Sequence, residues 1–210
     1  IRERPKILVE LINISGNVRT LDKVIRREVL LVEGDAFNTS KLRRSRSQIR
    51  NLGFFERVKV DKSTGSNPEN MVVNIAVTEK STGEISFGAG YSSTNGIMGD
   101  ISVKERNFLG RGQVLKVGLQ LGEQQQQVDL SFTEPYFLDR KLRAGFDLFS
   151  TKTDLSDSRS YTKESIGFAL RAGYKLGDKL SESWRYTLRD DEVTDIASNA
   201  SRAIKEQEGG

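Results

Sequence analysis

The sequence contains no cysteine and no histidine. Disulfides and thiolate metal ligands are therefore excluded, and so is the side chain that proteins use most often as a general base and metal ligand. Serine is plentiful, but without histidine and without a Gly-x-Ser-x-Gly motif the sequence offers no arrangement that would activate a serine nucleophile. The sequence predicts no enzyme activity, no cofactor and no metal site.

Long apolar runs are also missing. Mean hydropathy is −0.50, and no stretch of 18 apolar residues occurs, which excludes a transmembrane helix. Membrane β-strands place only every second residue in lipid, so low hydropathy does not exclude a membrane protein. The first residues, Ile1 to Pro5, lack an apolar signal core, and we expect the sequence to be an interior piece of a longer precursor.

Positive charge is concentrated in the first 80 residues, which hold 16 Lys and Arg against 10 Asp and Glu. Five of these cations lie between Lys41 and Arg50. No aromatic residue stands among them to stack on a base, so nucleic-acid binding is not predicted. A docking surface for a protein partner and a merely solvated helix face remain as alternatives.

Residues 1–80 alternate between strand and helix patterns. Turn formers and glycines separate the segments, and Thr20 is a candidate helix cap. The predicted order is strand, helix, helix, strand, strand, which favours a three-stranded sheet covered on one face by two helices. The predicted segments are Lys6–Ile14, Leu21–Leu31, Thr39 or Ser40 to Leu52, Phe54–Asp61 and Met71–Glu79.

From Gly83 onward only strand patterns occur. In Gly83–Ser92 the apolar side chains alternate with small or polar ones, which predicts a strand with one apolar and one polar face. Six further segments up to Arg189 repeat this pattern. They are centred on Ile97–Lys104, Leu115–Leu121, Gln127–Thr133, Leu142–Leu148, Ser165–Tyr174 and Ser183–Arg189. Residues 190–210 are polar, contain a possible short helix at Ala200–Glu208, and are predicted to form a truncated extracellular loop.

Alternation alone does not distinguish a soluble sandwich from a membrane barrel. The connections after the second, fourth and sixth strands are compact, whereas the one after the fifth runs from about Ser150 to Tyr161. Short turns on one side and longer loops on the other are typical of an outer-membrane barrel. An isolated seven-stranded sheet would expose two edges, so we expect further strands to complete it.

Several motifs resemble the BamA family, within the BamA and TamA superfamily. Asn51–Val58 (NLGFFERV) resembles a POTRA module, and Phe87–Tyr91 (FGAGY), Asn107–Gly112 (NFLGRG) and Glu134–Phe137 (EPYF) resemble the family's barrel. The resemblance implies an α+β POTRA module (β-α-α-β-β) at 1–80, the barrel-proximal one. It is followed at 81–189 by about seven antiparallel transmembrane strands of a larger barrel, and at 190–210 by the loop.

The resemblance also implies a function: folding and insertion of β-barrel proteins into the bacterial outer membrane, with the POTRA module in the periplasm. Implied partners are unfolded outer-membrane proteins, a BamD-type lipoprotein, other assembly subunits and the lipid bilayer. Arg26 and Glu33 match positions of the lipoprotein contact. The first barrel strand is the expected lateral seam, formed by Glu84, Ile85, Ser86, Phe87, Gly88, Ala89, Gly90 and Tyr91.

Two other functions are compatible with the sequence. One is a TamA-like or two-partner-secretion translocator of the outer membrane. The other is a soluble periplasmic scaffold whose second half is a β-sandwich. The direction in which the apolar strand faces point separates the scaffold from the two membrane proteins.

Overall fold

The computed structural model describes residues 6–93, 96–155, 161–177 and 180–196. The chain divides into two compact units. The first comprises residues 1–82 together with 107–112, and the second comprises 83–106 and 113–210. Each unit contains one β-sheet. Among the described residues, no helix is long and apolar enough to cross a membrane.

The first unit has the predicted order of elements. The elements are β1 (Leu8–Ser15), α1 (Asp22–Arg26), α2 (Thr39–Asn51), β2 (Phe55–Thr64) and β3 (Asn70–Glu79). Its sheet has the order β1-β3-β2, in which β1 runs parallel to β3 and β2 antiparallel to it. One buried core joins both helices to the sheet and includes Ile25 of α1, Ile49 of α2 and Val73 of β3.

Helix α2 matches its prediction closely. The side chain of Asn38 caps it by accepting hydrogen bonds from the amides of Ser40 and Lys41, at 2.8 and 3.0 Å. Ser45 and Ile49 are buried on its inner face, and Gly53 follows its end with a φ of +75°. This helix formed where expected because its caps and its apolar spacing agree.

Helix α1 is shorter than predicted. It ends at Arg26 rather than Leu31, and Thr20 does not cap it, because Leu21 is the N-cap residue and makes no side-chain capping bond. The Leu30 amide instead donates to the Ser45 hydroxyl at 2.8 Å. Leu31 is buried in the core. The Leu30 amide thus binds a residue of α2 instead of a carbonyl of its own helix, and the helix does not continue to Leu31.

The second unit is a single antiparallel sheet in which the seven strands follow one another in chain order. Its strands are β4 (Gly83–Ser92), β5 (Gly96–Phe108), β6 (Gln113–Gly122), β7 (Gln125–Glu134), β8 (Leu142–Asp154), β9 (Thr162–Lys175) and β10 (Ser181–Thr194). All seven predicted strands are present.

Two strands of the second unit run well past their predicted ends. Strand β8 continues to Asp154, into the expected Ser150–Tyr161 loop, and β10 continues to Thr194 although residues from Asp190 onward were expected to be a loop. Polar residues extend these strands because they find partners across the ladder: the Asp191 carboxylate lies 3.1 Å from the Lys163 ammonium. The possible helix at 200–208 lies outside the described residues.

Among the described residues of the second unit, no second layer of strands covers the apolar face. Within the described part of this unit, Ala169 is the only buried hydrophobic residue, and all seven strands belong to one layer. The soluble-sandwich alternative requires these side chains to meet across a dry interior. The described strands contain no such interior.

Candidate functional site: the edge strand and two faces of the seven-stranded sheet

Exposed and half-buried apolar side chains form continuous rows across neighbouring strands. One row joins Leu130 to Leu148, then Phe168, then Leu188 in direct register. In an adjacent row the rings of Phe132 and Phe146 stack with their centroids 5.5 Å apart. A contiguous apolar surface of this kind marks contact with lipid or with another apolar surface.

The opposite face carries a network of charges centred on Asp147 in β8. Its carboxylate lies 2.9 Å from the Arg171 guanidinium and 3.2 Å from that of Arg185, and it accepts a 2.8 Å hydrogen bond from the Ser131 hydroxyl. Arg171 also donates to the Thr133 hydroxyl at 3.1 Å. The network ties four strands together on the polar face.

Sequence reasoning did not identify this network. It placed Asp147 and Arg171 on the polar face but could not pair them, because the pairing depends on cross-strand register. The register sets Gly145 opposite Arg171 and Asp147 opposite Ala169. No signal in the sequence could have paired them, because Gly145 is seen to face Arg171 only once the register is known. A Cβ at Gly145 would meet the Phe132 carbonyl oxygen first and then the Arg171 guanidinium.

Strand β4, the predicted seam, is one edge of the sheet. It pairs with β5 alone among the described residues, with Phe87 opposite Ile101 and Gly88 opposite Asp100. The Glu84 carboxylate is fixed near the beginning of the strand by an ion pair of 2.6 Å with Arg106. One row of β4 backbone groups is therefore available to another strand.

Strand β4 has an exposed apolar face and glycines free of backbone crowding. Phe87 is 76% exposed, somewhat more than apolar residues of interior strands such as Ile97 in β5 (66%) and Ile166 in β9 (64%). A Cβ at Gly90 would meet nothing within 4 Å, and one at Gly88 would meet only the Asp100 side chain. Backbone crowding therefore does not require these glycines. Glycine weakens a strand, and the role of β4 as a seam stays a prediction.

The predicted lipoprotein-contact residues, Arg26 and Glu33, lie together in the first unit. An Arg26 guanidinium nitrogen is 3.7 Å from the Glu33 carboxylate, and Asp22 holds the other side of the guanidinium at 2.8 Å. Both residues also bind the backbone of Ile12 in β1. Their contact with a partner remains a prediction.

A further polar cluster in the first unit was missed from sequence. The Glu79 carboxylate accepts hydrogen bonds from the backbone amides of Arg19 and Thr20, at 3.0 and 2.7 Å. Asn107 donates to the Thr20 hydroxyl at 2.9 Å. Burial raises the pKa of Glu79, but the hydrogen bonds from Thr20 and Arg19 outweigh this and hold the pKa below its usual value.

These features define a class of protein: a small α+β module followed by antiparallel strands of a barrel wall. Residues 7–80 match a POTRA family described as surface antigen variable number repeat, and residues 107–209 match the Omp85 superfamily domain. The chain belongs to the Omp85 superfamily.

Within that superfamily the chain is similar to outer membrane protein assembly factors. It is 33% identical to BamA of Neorickettsia risticii over 97% of this chain and 28% of that relative. The crystal structure of Haemophilus ducreyi BamA lacking POTRA domains 1–3 matches with a TM-score of 0.82 and 28% identity, over 90% of this chain and 36% of that one.

A second kind of solved structure shares the fold. CdiB from Escherichia coli matches with a TM-score of 0.62 and 14% identity, over 91% of this chain and 39% of that chain. At this identity the likeness concerns the fold alone. The chain thus spans about a third of the length of the relatives and structures it matches.

Proposed function

We propose that this chain acts in folding β-barrel proteins and inserting them into the outer membrane, and that β4 is the strand on which incoming strands are templated. The observation that carries the proposal is an edge strand with an exposed apolar face and glycines that backbone crowding does not require. The similarity to BamA from two organisms supports the same function.

The physical basis is the cost of unpaired backbone groups in lipid. Each orphaned N–H or C=O costs several kcal/mol in a bilayer, so a strand cannot enter alone. An edge such as β4 offers a row of partners, and an incoming strand satisfies its own groups by β-augmentation. The reaction needs no covalent step, so we propose that the protein is not an enzyme and uses no cofactor.

The remaining assignments follow from this role. The apolar face of the sheet lies in the outer membrane, and the POTRA module lies in the periplasm. Unfolded outer-membrane proteins are the clients. A BamD-type lipoprotein contacts the POTRA module at Arg26 and Glu33, and other assembly subunits join the complex. Nucleic acid is not a partner.

A disulfide lock tests the templating edge. Cysteines at Ile85 or Phe87 and in the last barrel strand of the full-length protein should, when oxidised, stop assembly of outer-membrane proteins and arrest growth. Reduction should restore both. A matched lock between Val117 in β6 and Leu130 in β7, which are already in register, should leave assembly unchanged. Normal growth with the seam lock fully formed would overturn the proposal.

A further inference from the structure

The outer edge of β1 in the first unit is covered by other segments of the same chain. Strand β1 is an edge of its sheet, and its outward backbone groups would otherwise offer a site for strand addition. Over the first half of the strand the occupant is backbone: the amide of Gly34 donates to the carbonyl of Val9 at 2.7 Å, and the amide of Val9 donates to the carbonyl of Asp35 at 2.9 Å.

Further along the strand, at Ile12, two side chains replace the backbone. The Glu33 Oε1 atom accepts the Ile12 amide at 2.9 Å, and an Arg26 guanidinium nitrogen donates to the Ile12 carbonyl at 3.3 Å. One acceptor and one donor thus satisfy the two groups of Ile12 that a neighbouring strand would satisfy. Asp22 holds Arg26 in place from the same helix.

We propose that Arg26 and Glu33 form a side-chain seal that closes the edge of β1 against the strand of another chain, with a second copy of this chain as the excluded partner. This role is independent of the proposed assembly function. It needs only the reach of two side chains to Ile12. A contact with a lipoprotein would instead depend on their charge.

The geometry separates the two roles at Glu33. Its Oε1 atom is the one that binds Ile12 and faces Arg26, and the side chain is 44% exposed. A partner's cation can therefore approach the second carboxylate oxygen while the seal stays closed. Glu33→Gln keeps an acceptor at the same reach but loses the charge, whereas Glu33→Asp keeps the charge but is one methylene too short.

Amide hydrogen exchange at Ile12, measured in the full-length protein in detergent, tests the seal. Glu33→Asp and Glu33→Ala should each speed exchange about tenfold, since one hydrogen bond is lost, and Glu33→Gln should change it little. Sedimentation of the same samples should reveal concentration-dependent dimers for the Asp and Ala variants only. Asp61→Asn, at an exposed ion pair in β2 with Lys59, is the matched control and should alter neither readout.

Two results would overturn the seal. The first is unchanged Ile12 exchange in Glu33→Asp, because the hydrogen bond would then not protect the amide. The second is faster exchange without any dimer, because the edge would be open and still not accept a strand. If Glu33→Gln weakens lipoprotein co-purification while Ile12 stays protected, the partner role and the seal are distinct. Loss of Ile12 protection in Glu33→Gln would contradict that separation.

Discussion

The carboxylate of Asp147 in β8 lies 2.9 Å from the guanidinium of Arg171 in β9, on the polar face of the seven-stranded sheet. The same carboxylate lies 3.2 Å from Arg185 in β10. Its side chain is only 17% exposed, so solvent screens these ion pairs less than it screens pairs on an open surface. The pairs join three strands on the polar face through contacts that the apolar face does not provide.

Replacing Asp147 should therefore destabilise the sheet. Asp147→Asn removes the negative charge between two arginines, and we expect a loss of about 1 to 3 kcal/mol, typical of hydrogen bonds to charged groups. The measurement is heat-dependent gel mobility or denaturant unfolding of the full-length barrel. Glu164→Gln, which breaks a more exposed pair with Lys152, should cost less than about 1 kcal/mol. Equal losses for the two variants would contradict this account.

The orientation of the strand faces can be tested with two adjacent residues in β10. Leu188 is on the apolar face and Thr187 on the polar one, and both are exposed. If the apolar face meets lipid, Leu188→Arg should destabilise the inserted protein by about 2 to 4 kcal/mol when it lies near the bilayer midplane. Thr187→Arg should change stability little. Urea titration of the protein in vesicles measures both losses of stability. A larger loss for Thr187→Arg than for Leu188→Arg would mean that the polar face, and not the apolar one, meets lipid.

Glycine is needed at Gly110 for a reason absent at Gly34. Both have positive φ, +70° and +90°, but a Cβ at Gly110 would collide with the carbonyl oxygen of Arg19, whereas one at Gly34 would meet nothing within 4 Å. Gly34→Ala should cost about 1 kcal/mol, from backbone strain alone. Gly110→Ala should cost about 3 kcal/mol, because strain and a backbone clash combine. Thermal unfolding of the first unit within the full chain compares them, and equal costs would exclude the clash.

Glu79 should make the first unit sensitive to acid. Its folded pKa lies below the usual value of 4.5, so its stabilising contribution is fully present above that value and is lost as pH falls through the folded pKa. Glu79→Gln should lower stability by about 1 kcal/mol at pH 7. The difference from the unsubstituted protein should shrink as pH falls below 4.5. A difference that stays constant from pH 7 to pH 3 would contradict this assignment.

The glycines of β4 can be separated from those of the interior strands. Gly90→Val adds a strand-favouring side chain where nothing lies within 4 Å, so the fold should be retained while the edge stiffens. We expect slower assembly of outer-membrane proteins in cells, measured by pulse-chase of a barrel client. Gly118→Val in β6 is the control, since a Cβ there has no neighbour closer than 3.9 Å. Normal assembly in Gly90→Val would show that templating on β4 does not depend on this glycine.

The sequence alone determined the order of elements in the first unit, the seven two-faced strands and the location of β4 at the start of the array. These properties are local, because periods of 2 and 3.6 residues and the capping residues around α2 are written along the chain. The resemblance to the BamA family rested on equally local motifs, such as Asn107–Gly112, and the comparisons confirmed it.

Only the tertiary structure decided what depends on partners distant in sequence. Helix α1 ends early because Leu30 binds Ser45, and β10 runs past Arg189 because Asp191 meets Lys163. The pairing of Asp147 with Arg171 needed the strand register, and the contact of Glu33 with Ile12 needed the fold around the edge of β1. Local patterns fix the period and face of a segment, but a hydrogen bond or ion pair across the fold exists only once both partners are placed.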